Sequence, residues 1–192
     1  FKTRAGLITP DATISFMPYL TERRKRARVI SKRPGLTMSV NVLRPESRGN
    51  IHIKSSSPHD APHINFNFLS TQSDNNTLLL ALRKGRELMS AEPISNYVEE
   101  EIAPGPQLET DDEILTWVRN TAETTYHPVG TCKMGNDANA VVGDDLKVRG
   151  LDGLRVADAS IMPTLTSGNT NAPSIMIGEK CSDMLLETAR LN

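Results

Sequence analysis

Three observations predict an α+β fold. Alternating apolar runs crowd the first third of the chain, helical periodicities come later, and no strict strand–helix–strand alternation links the two. The runs imply an antiparallel sheet with flanking helices, and the chain then closes with a strand–loop–helix.

Residues 12–17 (ATISFM) alternate between Pro10 and Pro18, with Ile14 and Phe16 on one face, and read as a strand. Residues 36–43 (LTMSVNVL) are the cleanest case: Leu36, Met38, Val40 and Val42 face one way, and Thr37, Ser39 and Asn41 the other. Arg44 to Gly49 supplies turn chemistry and Ile51 and Ile53 resume the alternation, so a hairpin is expected there. A third run, with Ile64, Phe66 and Phe68 set against Asn65 and Asn67, completes three one-sided strands and implies one sheet with a buried face. Ser73 is placed to cap a helix running to about Met89, with Leu78, Leu79, Leu82, Leu88 and Met89 near a common face. Thr110-Asp111-Asp112-Glu113 forms a capping box ahead of Ile114, Leu115, Trp117 and Val118. Pro104-Gly105-Pro106 demands a loop before it. Leu154 to Ala157 is a short buried strand candidate. A final helix from Asn171 carries Ile175, Ile177, Cys181, Met184 and Leu185 as its stripe.

Composition narrows the function. The 192 residues are 38% hydrophobic, enough for a sizeable core. A net charge of −1 creates no whole-molecule field for nucleic acid. The run Glu22-Arg23-Arg24-Lys25-Arg26-Ala27-Arg28 has no neighbouring aromatics and no second basic cluster, and is read as a solvated loop. No apolar run approaches the ~18 residues that span a bilayer, and no transmembrane segment is expected. Cys132 and Cys181 are too few for a disulfide framework and fit a reducing, cytoplasmic setting, with peripheral membrane association as the alternative. The start at Phe1-Lys2-Thr3-Arg4 is read as lying inside a longer chain. His59 and His63 are four apart, but Pro58 and Pro62 forbid the helix that would present both to a metal, so no metal site is expected. No Gly-x-Ser-x-Gly elbow occurs.

Two stretches carry chemistry. The first is Tyr126-His127-Pro128-Val129-Gly130-Thr131-Cys132-Lys133-Met134-Gly135. Pro128 pushes His127 out of the helical region, and the glycines permit close backbone approach. A histidine fixed on such a loop is either a general acid or base or a structural hydrogen-bonder. The second runs from Gly153 through Ala157, Asp158, Ala159, Ser160, Ile161, Met162 and Pro163 to Ser167-Gly168-Asn169-Thr170-Asn171-Ala172-Pro173. Free N–H groups at a helix start suit an electron-rich ligand atom, while Asn171 read structurally is only an N-cap and Asp158 only a strand-end cap.

His-Pro-Val-Gly-Thr-Cys-Lys-Met-Gly, Gly-Leu-Arg-Val-Ala-Asp-Ala-Ser-Ile-Met-Pro and Ser-Gly-Asn-Thr-Asn-Ala-Pro-Ser-Ile-Met-Ile-Gly-Glu-Lys together resemble the C-terminal signature of the glucose–methanol–choline (GMC) oxidoreductases, in the branch resembling choline dehydrogenase. Arg44-Pro45-x-Ser47-Arg48-Gly49, the Phe66–Ser70 stretch and Pro104-Gly105 match in the same order, so the likeness covers nearly the whole chain.

The resemblance implies a substrate-binding domain over 1–125 and, over 126–192, a catalytic loop and C-terminal segment that packs on an FAD-binding domain. It implies FAD as cofactor, a small-molecule alcohol as substrate and hydride transfer to flavin N5, with homo-oligomerisation compatible. His127 takes the place of the base or alkoxide-stabilising group, and Asn171 that of its hydrogen-bonding partner. Tyr126 occupies a position beside flavin or substrate. Asp158 and Ala159 match backbone contacts to the cofactor's phosphate and ribityl region, and Asn171, Ala172 and Pro173 the turn at its pyrimidine end. The glycine-rich dinucleotide fingerprint is absent from these residues, so the N-terminal FAD-binding domain is expected to lie outside them. Two other readings stand beside this one: a flavin-containing lyase of the hydroxynitrile type, and a non-catalytic fragment that binds no flavin alone.

Overall fold

Alternating apolar and polar residues give β1 (Ala12–Met17) and β4 (Thr37–Val42), which pair antiparallel from Ala12 opposite Val42 to Met17 opposite Thr37. Between them β2 (Thr21–Arg24) and β3 (Ala27–Ile30) make a second two-stranded pair, and β5 (Asn50–His52) pairs with β6 (His63–Asn65) as a third. Three helices follow among the described residues: α1 (Gln72–Ser90), α2 (Asp111–Thr121) and α3 (Asn171–Arg190). This computed structural model describes residues 1–24 and 27–190. The fold is α+β, as its sequence predicts.

The pairing differs from the sequence expectation in two ways. The expected hairpin between 36–43 and the Ile51–Ile53 run does not form, and the antiparallel pairing is shared among three two-stranded sheets. The turn residues are engaged elsewhere. Asp74, buried in the first turn of α1, accepts the N–H groups of Glu46 and Ser47 at 2.8 and 2.9 Å and the Ser47 hydroxyl as well. The chain is thereby drawn toward α1 instead of folding back on β4. The basic run, read as a solvated loop, lies mostly in β2 and β3, with Lys25 and Arg26 outside the described residues. Charge marks exposure but does not stop backbone groups from pairing.

The chain divides into two units, 1–47 with 69–123, and 48–68 with 124–192. An uninterrupted 1–125 was expected. Residues 48–68 fall in the second unit, where a Cβ on Gly49 would stand 2.1 Å from the Asn65 carbonyl oxygen and 2.7 Å from that of Phe66.

In the first unit α1 lies on β4, where Gly85 leaves room for Met38 and Val40. Leu79, Leu82, Ile114, Leu115 and Val118 form its core, with Val40, Leu69, Leu78, Leu108 and Trp117 packed against them. Thr71 rather than Ser73 caps α1, its hydroxyl accepting from Asp74 N–H, while the Ser73 hydroxyl bonds Glu46. Leu88, assigned to the apolar stripe, is exposed. The capping box of α2 closes as expected, with Thr110 and Glu113 each holding the other's main chain. The Arg86 guanidinium ties the Pro104–Pro106 loop down through Glu101 and the carbonyls of Gly105 and Leu108, all at 2.9–3.0 Å.

The second unit is built mainly of loops around Val142, Leu146, Ile161, Met162, Ile177 and Cys181. The Leu154–Ala157 strand candidate is a short ladder instead: Lys147 bridges Arg155, and Val148 and Val156 donate to Leu154 and Leu146. On α3 only Ile177, Cys181 and Met184 of the expected stripe meet the core, while Ile175 and Leu185 are exposed. No helix among the described residues is long and apolar enough to cross a membrane.

Burial pushes the Asp74 carboxyl up, but hydrogen bonds from Ser47, Glu46 and Thr71 outweigh it and hold the group below its ordinary value of 3.8. A carboxyl with a lowered folded-state pKa contributes stability that is present above the unfolded value and lost as pH falls through the folded one. Asp74→Asn in the complete protein is expected to cost about 1–3 kcal/mol near neutral pH and to flatten the acid limb of thermal stability; an unchanged acid limb contradicts this role. Gly49→Ala is expected to destabilise by roughly 1–3 kcal/mol, with faster amide exchange at Asn50–His52 as its local signature.

Candidate functional site

His127 reaches its position through main-chain bonds rather than through a regular element. Past the loop, Cys132 N–H donates to the Ser160 carbonyl at 3.0 Å and Met134 N–H to that of Ile161 at 2.7 Å. Val141 and Gly135 extend this ladder through Lys133 and Val142. The two signature stretches are thus zipped side by side over the second unit's core. Gly130 holds φ at +88°, and a Cβ there would lie 3.3 Å from the Met162 carbonyl oxygen. A larger residue would be strained in its backbone and tight against its neighbour.

Across the zip, the imidazole meets the residues just ahead of α3. His127 Nδ1 lies 2.8 Å from the Thr170 hydroxyl and 3.4 Å from the Thr170 main-chain nitrogen. Its Nε2 lies 2.8 Å from Asn169 Nδ2. Thr170 is buried, at 8% exposure, and its carbonyl accepts the first helical bond from Ser174 N–H at 3.0 Å. The site therefore sets a hydroxyl and a carboxamide each within one hydrogen bond of the same imidazole.

Tyr126 directly precedes the histidine with φ of +61°, a conformation costly for a bulky side chain and of the kind that collects at functional sites. Its ring is 79% exposed. Asn171 is the first residue of α3 and is exposed; the carboxamide on the imidazole belongs to Asn169. Ala172 is exposed and Pro173 half-buried in the same first turn. Helix geometry leaves the N–H groups of Asn171 and Ala172 without intrahelical acceptors, available to an electron-rich ligand edge. Asp158 caps the 3-10 turn Ala159–Ile161, accepting Ser160 N–H at 2.7 Å. Bonds from the Ser160 hydroxyl and main chain hold its carboxyl below the ordinary value. Its side chain is used locally, and the carbonyls of Asp158 and Ala159 accept the N–H groups of Ile161 and Met162, which leaves their main-chain N–H groups as the part that could face a ligand. Among the described residues no group of three or more His, Cys, Asp or Glu has a metal-binding arrangement.

Sequence reasoning selected Asn171 and passed over Asn169 and Thr170. The signal was only the Asn-Thr-Asn tract itself. Which of its polar side chains turns toward the histidine depends on the dihedral angles of the residues entering α3, which no spacing rule supplies.

A family model described as GMC oxidoreductase matches residues 45–178. The chain is similar to an alcohol dehydrogenase [acceptor] of Pseudomonas putida, at 44% identity over 92% of this chain and 32% of that protein. An oxygen-dependent choline dehydrogenase of Escherichia coli O127:H6 (strain E2348/69 / EPEC) is 42% identical over 96% of this chain and 33% of its own length. Among solved structures, an FAD-dependent oxidoreductase from Chaetomium thermophilum superposes with a TM-score of 0.77 at 33% identity, covering 81% of this chain and 27% of that one. The chain thus spans about a third of the length of the relatives it matches. With the family model covering both signature stretches and the site they build, this chain belongs to the GMC oxidoreductase family.

Proposed function

We propose that the chain is the substrate-side part of an FAD-dependent oxidoreductase that oxidises a CH–OH group, with His127 taking the hydroxyl proton. The observation that carries the reading is the imidazole held at 2.8 Å from a carboxamide by two loops that are zipped together. An alkoxide releases hydride far more readily than an alcohol does, so a base at the hydroxyl is what this reaction needs. The imidazole can take a proton, whereas a carboxamide cannot. Asn169 would therefore turn its Nδ2 from Nε2 to the substrate oxygen, freeing His127 Nε2 to accept the proton, the partner role that the family resemblance gives to Asn171.

The residues at the start of α3 fit one end of a flavin. Two unpaired N–H groups at Asn171 and Ala172 would face its electron-rich pyrimidine edge, and the exposed Tyr126 ring lies next to His127 in sequence. The backbone of Asp158 and Ala159 would meet the phosphate and ribityl region. Bound FAD would supply the hydride acceptor, N5 of its ring system. Donors near the pyrimidine end favour the negative charge that reduction brings. No glycine-rich dinucleotide turn is present to hold the adenine half, so these residues account for part of the cofactor site. The exposed Ile175, Met176, Leu185 and Leu186 of α3 would be covered by the FAD-binding part of the longer protein.

In the complete protein, His127→Ala is expected to slow alcohol-dependent flavin reduction by at least ~10², followed by anaerobic bleaching of the flavin, with FAD still bound by its absorbance. Reduction near the wild-type rate would remove His127 as the base.

A further inference from the structure

We propose that Thr170 is a positioning residue: its hydroxyl oxygen accepts the Nδ1 proton of His127 and so places the imidazole lone pair on Nε2. The inference rests on the reading of His127 as the base and names what makes it one.

A neutral imidazole carries one ring proton, and the partner of one nitrogen decides which nitrogen holds it. Three polar groups surround this ring. The Thr170 hydroxyl can donate or accept, the Asn169 carboxamide can present either end, and the Thr170 main-chain N–H can only donate. Two proton arrangements compete, and each has a cost: the first leaves the Thr170 main-chain N–H facing Nδ1–H at 3.4 Å, and the second requires a reversed Asn169 carboxamide. In the first, Nδ1–H donates to Thr170 Oγ1 and Asn169 N–H donates to Nε2. In the second, Nδ1 accepts from both the hydroxyl and the main-chain N–H of Thr170, and Nε2–H donates to a reversed Asn169 carboxamide. The first satisfies both contacts of 2.8 Å with Asn169 oriented as found. The second gains only a contact of 3.4 Å, longer than an ordinary hydrogen bond, and crowds two donors onto one lone pair.

The first arrangement also suits proton transfer. When Nε2 takes a proton, Asn169 must give up its N–H contact there and turn its oxygen to the new Nε2–H, while the Nδ1–H to Thr170 bond persists, so the ring need not turn. Thr170 is buried and directly precedes α3, its carbonyl accepting the first helical bond, which ties the hydroxyl to the start of the helix. A threonine here does without charge what a carboxylate does behind the histidine of a serine-protease triad: it selects the tautomer and holds the ring.

The test uses the complete flavoenzyme with 15N-labelled histidine and two-bond proton–nitrogen correlation, with the His127 signals identified by their loss in His127→Gln. Wild type is expected to show a protonated-type shift at Nδ1 and a lone-pair-type shift at Nε2. Thr170→Val leaves only the main-chain N–H facing Nδ1, so the two shifts should exchange, and kcat should fall roughly 10-fold or more with KM little changed. Thr170→Ser should restore both the shifts and kcat. A lone-pair-type shift at Nδ1 in wild type, or an unaltered pattern in Thr170→Val, overturns the inference. Should the valine variant not fold, the wild-type and serine spectra still decide. A large His127→Ala effect alongside an Nε2–H wild type defeats the tautomer assignment alone. An absent His127→Ala effect alongside an Nδ1–H wild type defeats the base reading alone.

Discussion

The main-chain ladder between residues 132–134 and 160–161 is the constraint on which the candidate site depends. It is short, but its donors are backbone groups that must find partners once they leave water. The side chains beneath it, Ile161, Met162 and Val142, are buried, which makes the ladder hard to open. Everything chemical follows from its register. A slip by one residue would turn the alternating side chains over and carry His127 away from the entrance to α3.

That entrance works because the residue ahead of the helix has two functions. The Thr170 carbonyl starts the helical bonding through Ser174, while its hydroxyl faces the imidazole. A helix of this length is a rigid support, and side chains fixed to its first turn share that rigidity. On the opposite side two left-handed residues bracket the histidine: Tyr126 at φ +61°, strained for a tyrosine, and Gly130 at φ +88°, which only glycine adopts without cost. The ladder and the core over-determine the loop enough to keep a tyrosine in a conformation that it would not adopt alone.

The first unit shows the same logic at a distance from the chemistry. Asp74 gathers two main-chain donors and a hydroxyl from the Glu46–Ser47 turn, and Arg86 gathers two carbonyls and a carboxylate around the Pro104–Pro106 loop. In both places one buried or half-buried charged side chain replaces the regular pairing that a loop lacks. Such residues look like ordinary surface charges in a linear pattern, since periodicity records where apolar groups fall and not which polar group turns inward.

Local rules were enough for what lies within one turn or one strand. The Thr110–Glu113 capping box, the start of α3 at Asn171, β1, the core positions Ile114, Leu115 and Val118, and the two motif stretches flanking the site were all legible, because caps, periods and motifs are set by residues a few positions apart. Strand partners were not. The alternation of 36–43 is equally satisfied by β1 or by the Ile51–Ile53 run, and in the fold β4 pairs with β1 while the turn after it donates to Asp74, nearly thirty residues on. The site divided in the same way: the sequence alone singled out a histidine loop and an Asn-Thr-Asn helix start as the two candidate stretches. Only the tertiary structure set Asn169 and Thr170 against the imidazole, because which side chain meets it across more than forty residues depends on the register of a ladder and the angle at which a helix begins.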